Sequence, residues 1–153
     1  MKKTKISPEL VKMVNKALEM ELAAYTQYLS HAEIVGGINA EPIIERLREI
    51  ARYERLHQKT LRNLLGNYLG AVPSMKIAET YEADSNEKVL QVNLKVERDM
   101  VDHYSEIMAK LTEEKDNLPY EFQKIEFELN HIIRGHQSHI SVLKLLLGQL
   151  GVK

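Results

Sequence analysis

Four stretches of the chain carry apolar residues at alternating steps of three and four, the spacing that places them along one face of an α-helix. The first runs Leu10, Val14, Ala17/Leu18, Glu21, Tyr25, Tyr28, Ala32, Val35, and the second Ile43, Leu47, Ile50, Glu54, His57, Leu61, Leu64, Tyr68. The third runs Leu90, Leu94, Glu97, Val101, Tyr104, Met108, Leu111, and the fourth Ile125, Leu129, Ile132, His136, Ile140, Leu143, Leu147. Each stripe is interrupted near its middle by an ionisable residue, and His139 lies beside the fourth.

Start and stop signals bound these helices at about 8–35, 41–69, 85–115 and 119–147. Ser7-Pro8-Glu9 offers an N-cap, a proline at the first helical position and an acid in the first turn. Gly36-Gly37 stops the first helix, and Glu41-Pro42 restarts the chain. Asp84-Ser85-Asn86-Glu87 reads as a capping box, and Asn117-Leu118-Pro119 as a tight turn. Ala71 to Asp84 shows no sustained stripe and reads as a connection. Fully extended it reaches roughly 45 Å, enough to cross a bundle from end to end. The pattern predicts an all-α, antiparallel four-helix bundle with a long crossover between the second and third helices, forming a single domain over 1–153.

In an antiparallel hairpin, residues equidistant from the turn are level. Glu21 lies 16 residues before Gly37 and Glu54 lies 13 after Glu41, so the two are level to about a turn. Glu97 lies 20 before Asn117, and His136 and His139 lie 19 and 22 after it. Glu54-Arg55-Leu56-His57 puts a carboxylate and an imidazole on one face, suited to a shared metal. A rival Glu-x-x-His, Glu128 to His131, flanks the fourth stripe and sits about 10 Å away along the axis.

The stripes contain no Lys or Arg to compensate three core-facing glutamates. Each would cost several kcal/mol to bury alone. Either the glutamates are protonated or hydrogen-bonded to Tyr28, Tyr104 and the histidines, or divalent metal ions answer the charge with ligands of matching hardness. Cysteine is absent, which excludes disulfides, thiolate metal sites and iron–sulfur clusters. The net charge of −1, with both signs interspersed, gives no footprint for nucleic acid or an anionic membrane surface. No apolar run reaches membrane-spanning length, and the basic start Met1–Lys5 leads into Ser7-Pro8-Glu9 rather than an apolar signal core, so a cytoplasmic protein is expected.

With these motifs in place, the chain resembles the ferritin-like superfamily of di-iron carboxylate bundles, and within it most closely the bacterioferritins. The segment Val14 to Ala32 looks like that family's first ferroxidase helix, with Glu21 as ligand. Glu54 and His57 match its bridging carboxylate and terminal imidazole, and the spacing to Glu97 matches its third-helix ligand. The family's last helix carries a second Glu-x-x-His, where this chain has His136-Gln137-Ser138-His139. The resemblance therefore implies a site of Glu21, Glu54, His57, Glu97, His136 and His139, in which His136 replaces a bridging glutamate.

Two divalent ions are implied, iron first and zinc or manganese as alternatives, with dioxygen or peroxide as substrate. Arg55 stands where bacterioferritins carry their haem-ligating methionine, so no haem is expected. The resemblance further implies a homodimer through the first two helices or a higher homo-oligomer, without the fifth helix that closes large ferritin cages. Metal binding without redox turnover and a metal-free helical interaction protein are the competing readings. Tyr28 and Tyr104 read as core residues bonded to carboxylates, and His31 and His103 as polar-face or interface histidines.

Overall fold

The computed structural model describes residues 6–152; the basic stretch Met1–Lys5 and Lys153 lie outside them. Four long helices, α1 (Pro8–Ile34), α2 (Ala40–Asn63), α3 (Asn86–Glu113) and α4 (Phe122–Gln149), carry the fold, with no strand among the described residues. None of these helices is long and apolar enough to cross a membrane. Ser7 caps α1, its hydroxyl accepting from the amides of Glu9 and Leu10. α1 and α2 form one antiparallel hairpin around Gly37, whose φ of +84° is a conformation that favours glycine. α3 and α4 form the other.

Local chemistry moves several ends from their expected places. Ser85, not Asp84, caps α3, because its hydroxyl is the one that accepts from the Lys88 amide. α4 begins at Phe122 rather than Pro119. Leu118 is fully buried, and its backbone, barred from helical geometry by the following proline, dips into the core first. At its other end α4 runs past Gly148 to Gln149. The end of α2 loosens into a π-helical turn, Leu64–Tyr68, closed by the Leu69 amide on the Leu64 carbonyl at 2.9 Å. In α3 the expected Leu90, Leu94, Glu97, Tyr104 and Leu111 lie in the core, but Met100 and Ile107 are buried where the stripe named their neighbours Val101 and Met108, which are only partly covered. Apolar residues stand side by side at those two turns, so periodicity alone does not choose between the neighbours there.

The crossover runs alongside α1 and parallel to it. The Ser74 amide donates to Asn15 Oδ1 (2.8 Å) and its hydroxyl to Glu19 Oε2 (2.7 Å). Further along, the Ala78 amide donates to the Glu19 carbonyl, and Asn86 pairs with both backbone groups of Gly36. Between these points a buried polar chain clasps it. The Tyr81 amide donates to Gln27 Oε1 (2.7 Å), Gln27 donates to Asn93 Oδ1 (2.9 Å), and Asn93 donates to His31 Nδ1 (2.8 Å). His31 closes the circuit by donating from Nε2 to the Tyr81 carbonyl at 2.9 Å. His31 is therefore a buried clasp residue between the crossover and α3 rather than a polar-face histidine, the interface position having been its other expected place. Burial draws its pKa below the ordinary value, which keeps the ring in the neutral form the circuit requires. His103, half-buried, bonds the Met13 carbonyl.

Candidate metal centre

Each hairpin brings three ionisable side chains to the middle of the bundle: Glu21, Glu54 and His57 from α1 and α2, and Glu97, His136 and His139 from α3 and α4. Glu21, Glu54, Glu97 and His136 are fully buried, and His57 and His139 are 5% exposed at the rim. Two overlapping groups result, each with its donor atoms within 4.8 Å of one another: Glu21, Glu54, His57 and His136, and Glu54, Glu97, His136 and His139. Such buried clusters of carboxylates and imidazoles are able to bind metal ions. The rival pair lies elsewhere. Glu128 is engaged by Lys124 at 2.8 Å, and His131 is exposed.

His136 occupies the centre. Its Nδ1 lies 2.5 Å from Glu97 Oε2 and its Nε2 2.6 Å from Glu21 Oε1, while the ring stacks on Tyr104 at 5.5 Å between centroids. The tyrosines brace the carboxylates reciprocally. Tyr28 on α1 donates to Glu97 Oε1 on α3 (2.8 Å), and Tyr104 on α3 donates to Glu21 Oε1 on α1 (2.7 Å). At the rim, His139 Nδ1 is 3.3 Å from both Glu54 Oε1 and Glu97 Oε1, and His57 Nδ1 is 3.4 Å from Glu21 Oε1.

The electrostatics follow from this crowding. Burial raises Glu54, and the negative charges of Glu21 and Glu97 push it further, so its carboxyl sits well above the usual carboxylate range. For Glu97 burial also pushes upward, but the charge of His136 and its hydrogen bond, with His139 close by, outweigh it and hold the group at about 2. Glu21 is likewise held well below the ordinary value, against burial, chiefly by His136. Burial alone would lower His136; the charges of Glu21 and Glu97 overcome that and lift it to about 10. In the metal-free site the cation absent from the Lys and Arg pattern is thus an imidazolium on α4. Tyr28 and Tyr104 are pushed well above 10 by burial first and by the carboxylates they face, so they remain donors.

One imidazolium does not satisfy the site. Glu21 Oε2, both oxygens of Glu54, His57 Nδ1 and His139 Nδ1 are buried without a hydrogen-bond partner. Orphaned atoms of this kind are costly, and here every one is a potential metal donor. By donor chemistry the residues fit divalent metal ions.

Three supporting residues carry no signal in the stripes. Gly135 on α4 lets the His57 ring approach so closely that an added Cβ would lie 3.2 Å from its Nε2. Gln58 is buried and donates to the Glu21 carbonyl at 3.4 Å. Tyr53 packs against His139 at 5.6 Å between centroids. A glycine inside a good helix was the one legible hint, because it gives up helix propensity for which some contact must compensate.

The fold resembles that of a dodecameric thioferritin, described as a bacterioferritin-related protein, from Bacteroides fragilis. The two share 22% identity over 94% of this chain and 86% of that one, with a TM-score of 0.79. No curated protein sequence matches the chain. The family model described as Ferritin-like domain matches residues 11–150, nearly the whole bundle. The chain therefore belongs to the ferritin-like domain family.

Proposed function

We propose that this protein binds two divalent metal ions, one in each Glu/His group, and that with iron the centre reduces dioxygen or peroxide. The observation that carries the reading is the set of buried, unpartnered donor atoms on Glu21, Glu54, His57 and His139. Glu54 would be the carboxylate common to both ions, Glu21 and Glu97 would each complete one group, and His57 and His139 would close the rim. Bound as a ferrous pair, the metals would supply two electrons to the oxidant, one from each ion. The chain's own work is to hold the carboxylates in place through Tyr28 and Tyr104, and to exclude water from a fully buried interior. Anaerobic loading with ferrous iron followed by air should give a ligand-to-metal absorption band and consume oxygen. The absence of both signals would end the redox reading.

One observation favours a second reading, binding or storage of zinc or manganese without turnover. With His136 in place of a carboxylate, each group offers two carboxylates and two imidazoles, a four-donor set that suits tetrahedral zinc. Elemental analysis of protein purified without added metal separates the two. Assembly into a homodimer or larger homo-oligomer belongs to the same proposal, supported by the dodecameric state of the Bacteroides fragilis protein, and light scattering on the purified protein measures it.

A further inference from the structure

We infer that His136 is a bridging ligand whose ring binds one metal ion through Nε2 and the other through Nδ1. The inference rests on the reading that both Glu/His groups take a metal, and goes beyond it by assigning a separate atom to each. Nε2 faces Glu21 Oε1 at 2.6 Å, in the group completed by His57. Nδ1 faces Glu97 Oε2 at 2.5 Å and Glu54 Oε1 at 3.8 Å, in the group completed by His139. The ring is fully buried and stacked on Tyr104 with 26° between planes, so it cannot swing aside to offer both ions a single edge. Glu54 divides in the same way. Its Oε2 is the atom nearer His57, at 3.9 Å, and its Oε1 the atom nearer His139, at 3.3 Å.

The proton count is simple. The metal-free ring is an imidazolium with an N–H at each nitrogen, so each ion displaces one proton, and both protons leave to solvent. The anion left behind restores the negative charge lost where histidine replaces glutamate. The arrangement also sets a distance. Two metal–nitrogen bonds of about 2.0–2.1 Å added to the breadth of the ring hold the ions roughly 6 Å apart. Two-metal sites that share an oxygen hold theirs at about 3.5–4 Å. At the wider spacing a single oxygen atom cannot touch both ions, so each would meet its ligands separately.

Cobalt(II) alone serves as the probe. Crystals of the cobalt-loaded protein, with anomalous scattering measured at the cobalt edge, should show two ions roughly 6 Å apart, each within bonding distance of a different nitrogen of His136. The same measurement on His136→Glu should show the separation contract to about 3.5–4 Å. Two ions already at the shorter distance in the unmodified protein, or His136 bound to only one of them, would overturn the bridge while leaving the two-metal reading intact. No cobalt in either group would overturn both.

Discussion

Replacing Gly135 with alanine should separate the stability of the bundle from the affinity of its metal centre. Gly135 lies inside α4, so alanine gains about 0.8–1 kcal/mol of helix propensity. Its new methyl carbon would stand 3.2 Å from His57 Nε2 and 3.3 Å from Cε1, where apolar contacts normally rest at about 3.5–4 Å. The ring must therefore retreat by about 0.3 Å. It has nowhere neutral to go, because its Nδ1 is already 3.4 Å from Glu21 Oε1 across the space an ion would fill. The propensity gain and the crowding, typically about 1–3 kcal/mol, largely offset one another in the metal-free protein. Displacing a ligand from its supported position typically costs about 10–100-fold in metal affinity. Urea melts of chelator-treated protein should accordingly change by no more than about 1–2 kcal/mol, while zinc competition titrations weaken by one to two decades. Unchanged zinc affinity beside a large loss of stability would refute the argument, reducing Gly135 to a packing residue.

The metal-free protein should be most stable in mild acid. His136, held protonated to about 10 against an ordinary 6.5, contributes fully below pH 6.5 and loses that contribution as pH rises toward 10. Glu97, held at about 2 against 4.5, contributes above pH 4.5 and loses it as pH falls toward 2. The raised Glu54 adds to the alkaline loss. Urea melts across pH should show the maximum between about 4.5 and 6.5, and loading with zinc should reverse the alkaline slope, since the ligands must shed protons to bind. Tyr28→Phe and Tyr104→Phe each remove a bond to a buried carboxylate, at about 1.5–3 kcal/mol in the metal-free protein, read by denaturant melts. Asn93→Ala strands Gln27 and His31, at about 1–3 kcal/mol for each buried group left without a partner, and limited proteolysis should then cut near Tyr81 faster.

The helices were legible because each stripe repeats for about six or seven turns, long enough for the 3.6-residue period to dominate. The six ionisable residues stood out for the converse reason: a charged group recurring on an apolar seam contradicts the pattern around it. The structure brings all six together, and their role as ligands is the proposal above. What escaped the reading depends on contacts between distant segments. Gln27, Asn93 and His31 look like ordinary helix-surface residues until the crossover is laid over them. In α3 the burial of Met100 in place of Val101 was hidden because both are apolar, and only packing against the neighbouring helices chooses between them. The central cation was missed because a search confined to Lys and Arg overlooks a histidine whose protonation is set by the carboxylates on either side.

The reciprocal tyrosine bonds carry a last consequence. α1 and α3 each place a tyrosine seven residues after a glutamate, and α2 and α4 each place a histidine three residues after the shared donor. One hairpin is thus a near-copy of the other in its chemistry, differing only in that Glu54 answers His136. Two copies of the first hairpin, docked as these two are, would assemble four carboxylates and two imidazoles. Two copies of the second would assemble two carboxylates and four imidazoles. The chain joins one of each through its crossover, so its centre is a hybrid that neither half could build by pairing with itself.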